Sequence, residues 1–545
     1  MNKLSKYYSE SDKKLVDEIT ILYNNRDYIL ATEKISKRLE SLTNCKTRED
    51  YFLKIELAGF LIDIGEEGKI KQAALDGLQI IENEKEEIKH IILESSIEYN
   101  LGNAKSTLFK IQREETGFQY FPKNIQYLIE SKNHYWKSFK LSIDEMGTFT
   151  PQLVVNLANT LSCCGRIVES LQYYDEVLEK YPSFPKANAS RAKELMRLKD
   201  ISGVFTKNMI YQAQNGYKKA SMTKEIPKWL IDTWKSESHK LKTSLLKLGF
   251  DISNIHQELE ETRKEFESLS LYRQFCINKH LTLSEHSLYC NCIGARRDSL
   301  NICTPFQPFD SDFIPIMEKV LNRLKSEYSF ARLLYFYSID TNQNEITKYD
   351  SEVMFTELYD SEYLGTKSEM IRTSFRLCFG ILDKIASAIC FMFDLSDENE
   401  SIYFESFWKP QKCKPKTKQK TRWDKINSIQ NISLVALYTQ ATDLNSKTGE
   451  WYFFKSWRNA LEHNQLSLLS ENEIGGDIFN IYKSSPYMIY VDKNYFEDKS
   501  LQILQFTRSA IFNFVFLIRN EARKSKLKEG KAIKHTFTFK NDNVV

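Results

Sequence analysis

One short stretch near the C-terminal end of the chain combines residue types that can move protons and bind phosphate. It spans residues 457–464 and reads WRNALEHN. On a helix, Asn459 and His463 are four residues apart and share a face. Arg458 is five residues from His463, so its Cα points about 140° away around the helix, and only its long side chain would bring it to the same site. Glu462 is four residues after Arg458 and is placed to pair with it.

These residue types suit metal-independent cleavage of RNA, in which the 2′-hydroxyl attacks the adjacent phosphorus. Histidine titrates near neutral pH and can accept the hydroxyl proton or protonate the leaving 5′-oxygen. Arginine stays charged and can bind the phosphoryl oxygens as negative charge builds up. Asparagine can orient the imidazole or the phosphate. The bare pattern also fits a surface Arg458–Glu462 pair beside a helix-terminal histidine, so the surrounding sequence must decide.

The composition favours a globular, helical chain of two to four domains. It has 545 residues, 42% of them apolar, with only 18 glycines and 11 prolines, which favours long helices and few tight turns. A net charge of +3 means that any nucleic-acid surface must be local. The start of the chain lacks an apolar signal region, and the ten cysteines have no framework spacing. We therefore expect a cytoplasmic protein with no membrane partner.

The first half of the sequence alternates helical patterns with short polar breaks. Residues 15–42 contain two apolar stripes, and 51–64 with 70–81 indicate a helix pair joined at Gly65. Residues 151–182 resemble the tetratricopeptide (TPR) pattern at these positions: Leu157, Ala158, Gly165, Ser170, Tyr174 and Pro182. We predict a degenerate TPR-like helical solenoid over residues 1–243, with an ordinary helical bundle as the alternative.

The second half divides into a less regular segment, a bundle and a tail. Residues 244–350 are assigned to a linker, in which 330–337 form a buried helix or strand. Residues 351–528 are assigned to a bundle and 529–545 to a flexible tail. The bundle helices are predicted at 368–394, 433–444, 449–463 and 500–524, with a loop at 471–493 and the Arg458–His463 motif on the third helix. Within the last helix, 509–518 is too short to span a bilayer and indicates a buried helix.

The bundle segments resemble HEPN domains of the bacterial subfamily that follows TPR-like repeats. The resemblance is carried by these segments: 380–386 (GILDKIA), 434–438 (LVALY), 457–463 (WRNALEH) and 504–511 (LQFTRSAI). Residues 272–276 and 295–300 also resemble the linker of that subfamily. The resemblance extends from Gln152 onward and is most specific between Ser368 and Arg523.

The resemblance implies a mostly all-α protein: a TPR-like solenoid, a mixed linker and a C-terminal HEPN bundle of four to five helices. It also implies a homodimer in which two motif helices form one composite cleft for metal-free endoribonuclease activity, often in a toxin or in anti-phage defence. Arg458, Asn459 and His463 fall on the catalytic motif positions. The substrate would be RNA, no cofactor is expected, and the repeats would bind a protein or peptide trigger. A non-catalytic TPR/HEPN adaptor that binds protein or RNA is the alternative.

Two further features bear on binding. Residues 409–425 (KPQKCKPKTKQKTRWDK) suggest a basic loop that gathers RNA phosphates, with Trp408 or Trp423 stacking a base. A solvated insert is an equal alternative. The candidate phosphate-binding residues are Lys412, Lys414, Lys416, Lys418, Lys420 and Arg422. A second set suggests a zinc site and comprises His280, His286, Cys290, Cys292 and Cys303. Its Cys-x-Cys spacing is tighter than usual, so we predict reduced cysteines and no metal site.

Overall fold

Helices dominate the chain, which confirms the all-α prediction. The structure is a computed structural model and describes residues 8–42, 45, 47–117, 124–204, 206–223, 226–249, 255–291, 293–302, 306–308, 313–340, 344–356, 362–396, 400–408, 416–445, 449–470, 487–524 and 532–534. The chain divides into two compact units. The first comprises Met1–Cys164 and Glu176–Ala187, and the second comprises Gly165–Asp175 and Asn188–Val545.

The first unit is a succession of helices in which each packs on the next. They are α1 (Glu10–Asn24), α2 (Tyr28–Ser41), α3 (Arg48–Gly68), α4 (Lys71–Ile88), α5 (Glu94–Thr116), α6 (Gln126–Met146) and α7 (Pro151–Cys163). Some alternate helices are also in contact: α3 contacts α5, and α5 contacts α7. Contacts confined to near neighbours are typical of a helical solenoid. The assignment of these helices to the TPR class stays a prediction.

The junction between α3 and α4 differs from the prediction. The helix does not end at Gly65 but continues to Gly68, and the chain turns at Lys69, whose φ of 55° is left-handed. Gly65 serves close packing instead, because a Cβ there would lie 2.7 Å from the Cβ of Ala74 on α4. The sequence pattern placed Gly65 at a turn. In the structure it lies within the helix, where the absence of a side chain allows α4 to approach closely.

The second unit contains the remaining helices and four short strands. The helices are α8 (Ile167–Lys180), α9 (Pro185–Ser202), α10 (Lys207–Ala220), α11 (Lys228–Lys247), α12 (Ile255–Glu267), α13 (Leu271–Asn278), α14 (Phe313–Ile339), α15 (Asn344–Thr347), α16 (Thr366–Phe393), α17 (Lys416–Ser428), α18 (Ile432–Asp443), α19 (Tyr452–His463) and α20 (Lys493–Lys524). The first turns of α8 belong to this unit, whereas the end of α8 and the start of α9 belong to the first.

The strands form two small sheets that were not predicted. Strand β1 (Phe306–Pro308) pairs antiparallel with β4 (Ala532–Lys534), and β2 (Gln465–Leu469) pairs parallel with β3 (Met488–Asp492). Strand β2 begins directly after the motif helix α19, and β3 ends where α20 begins. The predicted loop at 471–493 therefore contains a strand at its end, and residues 471–486 lie outside the described residues.

The core of the second unit is built around α20. This helix packs on α14, α16 and α18, and α16 packs on α14 and α19. Every residue of 509–518 is buried, as predicted. Within the described part of the chain, α20 alone is long and apolar enough to cross a membrane, yet 83% of its most apolar window is buried. That burial is the pattern of a core helix.

Buried arginines join the region before α14 to the long helices of this unit. Arg332 on α14, and Arg508 and Arg519 on α20, are almost fully buried. They donate to the backbone carbonyl oxygens of Leu281 (2.7 Å), Thr282 (2.9 Å) and Asn301 (2.5 Å), respectively. A buried guanidinium must keep such partners. Residues 281–301 are therefore part of the packing of the bundle. The 330–337 segment is helical and lies within α14.

Candidate functional site

The motif lies on α19, a short amphipathic helix fixed by aromatic packing. Its inner side buries Phe454, Trp457 and Ala460, three residues apart each time. The ring of Phe454 lies 5.5 Å from that of Phe375 on α16, and Trp457 lies 5.3 Å from Phe496 on α20. Large rings packed on both sides set the rotation of the helix about its axis. That rotation decides which motif residues face outward.

The motif residues divide between two sides of α19. Asn459 and His463 are both exposed and lie about one turn apart, and Glu462 is exposed beside them. The helix ends at His463, where Asn464 leaves helical geometry. Arg458 is turned inward, with only 24% of its side chain exposed. The structure therefore brings Asn459 and His463 together at the surface and directs Arg458 elsewhere.

Arg458 points toward α16, where it meets an acidic partner and two rings. Its Nη2 lies 3.5 Å from Oδ2 of Asp383. The guanidinium carbon is 5.7 Å from the ring centroid of Phe379 and 6.0 Å from that of Tyr403. Both distances are in the range of cation–π attraction. Among the described residues, Arg458 forms no ion pair with Glu462, in contrast to the helix-spacing expectation. An exposed pair is worth little, and the half-buried carboxylate replaces it.

Asp383 was not singled out as a site residue from the sequence. Burial raises the pKa of its carboxyl group, and the N–H of Phe404 and the charge of Arg458 act in the opposite direction. The Phe404 N–H donates to Oδ1 at 2.9 Å. The available signal was a lone carboxylate within an apolar run of α16, next to the buried residues Ile381 and Leu382. Such a residue usually has a partner on a neighbouring element.

A buried polar network fixes the start of α19 relative to α18. Arg166, just before α8, is fully buried and pairs with Asp443 at the end of α18 and with Glu169. Glu169 also accepts from the hydroxyl of Ser509 on α20 at 2.8 Å. The backbone carbonyl of Asp443 accepts from the N–H of Trp451, the residue before α19, at 2.8 Å. Buried ion pairs of this kind specify one arrangement of the elements that they join.

An aromatic cavity of about 270 Å³ lies beside α18. Its lining residues are Glu405, Trp408, Trp423, Tyr438, Ala441, Thr442 and Asn445. The Tyr438 ring lies 5.5 Å from Trp408 and 5.8 Å from Trp423. The indole N–H of Trp408 donates to the backbone carbonyl of Phe404 at 2.9 Å. Both tryptophans expected to stack a base thus belong to one cavity.

The basic run is partly helical, which corrects the prediction of a loop. Helix α17 begins at Lys416 and ends at Ser428, because the lysines and glutamine of this stretch are good helix formers. Lys412 and Lys414 lie outside the described residues, as do the side chains of Lys416, Lys418 and Lys420. Arg422 is described: it pairs with Glu400 at 2.5 Å, and 13% of its side chain is exposed. Its guanidinium therefore already has a structural partner.

The described residues hold no group of three or more His, Cys, Asp or Glu side chains arranged for a metal ion. Cys292 and Cys303 of the possible zinc set lie outside them. His280 is half-buried with a φ of 53°, and burial lowers the pKa of its imidazole to about 4. His286 packs against Tyr289, with ring centroids 5.0 Å apart and ring planes inclined by 53°.

Comparison with known protein families matches part of the second unit. The model of the LA2681-like HEPN family matches residues 309–521, which contain α14 to α20 up to its last turn and therefore the whole Arg458–His463 motif. The match begins inside the 244–350 range that was assigned to the linker. Curated proteins and solved structures give no match to the chain. The resemblance carried by the bundle segments is confirmed: the chain contains a HEPN domain, of the LA2681-like type, at residues 309–521, and its N-terminal region is helical.

Proposed function

We propose that this protein is a metal-independent endoribonuclease that acts in the cytoplasm as a homodimer. The HEPN family match is consistent with a ribonuclease or a nucleotide-related function. The observation that carries the proposal is the exposed pair of Asn459 and His463 at the end of α19, the helix that also carries the inward-facing Arg458. One helix thus carries both His463, the proposed proton-transfer group, and Arg458, the proposed phosphate-binding group.

In the proposed reaction, His463 takes the proton of the 2′-hydroxyl, whose oxygen then attacks phosphorus. A P–O2′ bond forms, the P–O5′ bond breaks, and the leaving 5′-oxygen takes up a proton from water, while the imidazolium of His463 afterwards returns its proton to solvent. Arg458 stabilises the negative charge that builds up on the phosphoryl oxygens. Asn459 orients the imidazole or the phosphate. The products are a 2′,3′-cyclic phosphate and a 5′-hydroxyl end.

A second protomer supplies what one motif helix cannot arrange by itself. Arg458 and His463 point in directions about 140° apart on α19. Two copies of the helix facing each other place the arginine of one near the histidine of the other. This arrangement is a composite site with twofold symmetry, the commonest symmetry of homo-oligomers.

The first unit is proposed as the sensor. Solenoid helices present long surfaces on which a protein or peptide can bind. A trigger bound there would raise the rate of RNA cleavage above the basal rate of the protein alone, as expected of a toxin or an anti-phage defence protein. The experiment that tests the catalytic part is RNA cleavage in the presence of a chelator, comparing the parent with His463→Ala and Arg458→Ala.

A non-catalytic adaptor is the second candidate, and one observation favours it. Arg458 is half-buried, paired with Asp383 and packed on two aromatic rings, which is also how a purely structural arginine is held. In that case the HEPN domain would only dimerise, and the first unit would bind a partner. Cleavage by the parent that is lost in His463→Ala would contradict the adaptor.

A further inference from the structure

The aromatic cavity beside α18 has the size and lining of a small-ligand site. Its volume of about 270 Å³ is just below the roughly 300–1,000 Å³ range of drug-sized pockets. It therefore suits a group of the size of one nucleobase. Trp423 and Tyr438 are half-buried, so part of each ring is accessible, whereas Trp408 is almost fully buried behind them.

The polar groups of the cavity are few and lie among the rings. The polar lining residues are Glu405, Asn445 and Thr442, and the Thr442 hydroxyl donates to the backbone carbonyl of Thr439 at 2.6 Å. Oε1 of Glu405 accepts from Nζ of Lys455 at 2.5 Å. A carboxylate has about four lone-pair sites, so this bond leaves the second oxygen able to accept from a ligand. Flat apolar faces with a hydrogen-bond acceptor at the edge match a base that carries an amino group.

Charge argues against a cation as the occupant. Three aromatic rings and a carboxylate resemble the cages that hold quaternary ammonium groups. Here, however, Lys455 lies against Glu405 and already offsets its charge. A cationic ligand would meet that ammonium group and gain little. A neutral base gains the stacking energy and does not need an uncompensated anion.

The cavity is joined to the motif helix. Lys455 lies on α19, three residues before Arg458, which is roughly 4.5 Å along the helix axis. Tyr403, which precedes Glu405 by two residues, packs on the guanidinium of Arg458. One short segment, 400–408, thus contacts both the motif arginine and the cavity. A base in the cavity would hold its nucleotide close to the motif.

We propose that this cavity binds one unpaired RNA nucleobase, which stacks on Trp423, packs against the ring of Tyr438, inclined by 56° to that of Trp423, and donates its exocyclic amino group to Glu405. The inference rests on the proposed ribonuclease function and names the base-binding subsite of its substrate. Adenine, guanine and cytosine carry such an amino group and uracil does not. Single-stranded RNA is commonly recognised in this way, by splayed bases on aromatic side chains.

The test is a titration of the full-length protein with AMP, GMP, CMP and UMP, followed by tryptophan fluorescence for the parent and by isothermal titration calorimetry for the parent and every variant. Ribose 5-phosphate and choline serve as ligands without a base. We expect saturable quenching by nucleotides that carry an amino group, with UMP binding about tenfold more weakly because the charge-assisted hydrogen bond is absent. Trp423→Ala should weaken binding roughly 5- to 150-fold, the effect of removing one base-stacking ring.

Three variants serve as controls. Trp423→Phe keeps a ring and should retain most of the binding, which also covers the case in which Trp423→Ala does not fold. Trp229→Ala removes an exposed tryptophan on α11 and should leave binding unchanged. Glu405→Gln should reduce the preference for amino-bearing bases over UMP.

Several results would overturn the proposal. They are an equal response to ribose 5-phosphate, a response to choline alone, and nucleotide binding unaffected by Trp423→Ala in a folded protein. The titration measures base binding independently of RNA cleavage, so the two proposals can fail separately. A protein that binds nucleotides but never cuts RNA refutes the ribonuclease, and one that cuts RNA but binds no base here refutes only the cavity.

Discussion

The guanidinium of Arg458 lies 3.5 Å from the carboxylate of Asp383 on the inner side of α19. Asn459 and His463 occupy the exposed side of the same helix. Arg458, which would bind phosphate, is therefore paired with an acidic residue on α16. His463, which would transfer the proton, faces outward. In the proposed mechanism Asp383 would act as a positioning residue for Arg458.

Replacing Asp383 should lower cleavage less than replacing Arg458. In Asp383→Asn the acceptor for Phe404 is kept, but the charge that holds Arg458 is removed, and we expect cleavage to fall about 10-fold because the guanidinium is less well placed. Arg458→Ala should cost about 10²–10³-fold, as for loss of a charge-stabilising donor. Initial rates on one RNA substrate, with thermal unfolding of each variant as control, measure both. Equal loss in the two variants would contradict a positioning role.

Mixing two inactive variants should restore cleavage if the site is composite. Arg458→Ala keeps His463, and His463→Ala keeps Arg458, so a mixed dimer holds one complete set across its interface. The expected result is measurable cleavage after the two variants are mixed and subunits exchange. Size-exclusion chromatography establishes that each variant still dimerises. No recovery from dimers shown to exchange would place both groups in one protomer.

The lysine run should contribute to the salt dependence of RNA binding. Each phosphate that a lysine neutralises on single-stranded nucleic acid adds about 0.7 to the slope of log K against log [salt]. The variant replaces these residues by glutamine: Lys412, Lys414, Lys416, Lys418 and Lys420. Arg422 is left in place because it pairs with Glu400. The slope should become shallower by about 0.7 for each phosphate that is no longer neutralised.

The matched control for the lysine run is α11, which carries five exposed lysines. They are Lys228, Lys235, Lys240, Lys242 and Lys247. Replacing them by glutamine removes the same charge from the chain and should leave the slope close to that of the parent. Equal slopes for both variants would mean that the 409–425 run is a solvated insert with no role in binding RNA.

His280 should make the protein less stable in mild acid. Burial lowers the pKa of His280 to about 4, whereas the unfolded chain takes up this proton near pH 6.5. The contribution of neutral His280 to the free energy of unfolding is therefore fully present above pH 6.5. It falls by about 3 kcal/mol as the pH drops to 4. His280→Asn removes the titration and tolerates the left-handed φ of 53°.

Denaturant unfolding of the parent and of His280→Asn at pH 7, 5.5 and 4 measures this difference. The gap in stability between the two proteins should change with pH, and His239→Asn, an exposed histidine on α11, should behave as the parent does. A constant gap between the parent and His280→Asn from pH 7 to 4 would show that His280 does not carry the effect.

The sequence predicted the elements more readily than their contacts. The motif helix was predicted at 449–463 and lies at Tyr452–His463, and the shared direction of Asn459 and His463 follows from helical spacing alone. Asp383 was missed as the partner of Arg458 because it lies on another helix, and local spacing favoured Glu462. A partner across the bundle is decided by tertiary packing, which one sequence read by its periodicity does not contain.

Two local errors have the same origin. Gly65 was assigned to a turn, yet it lies within α3 where Ala74 approaches too closely for a side chain. The basic run was assigned to a loop because it holds two prolines and has no hydrophobic period, yet α17 begins at Lys416, just after the second proline. In both cases the residue type marked a special position in the chain. Whether that position became a turn, a close contact or a helix start was decided by the tertiary structure.

The most direct test of the central claim is RNA cleavage by the full-length protein in excess EDTA, compared with His463→Ala and with the exposed-surface control His239→Ala. We predict that the parent and His239→Ala cut RNA and leave 2′,3′-cyclic phosphate ends, while His463→Ala loses at least about 10²-fold in rate, within the contribution of a general acid–base residue. Cleavage by His463→Ala at the parental rate, or cleavage abolished by EDTA in every protein, would contradict a metal-independent HEPN ribonuclease centred on His463.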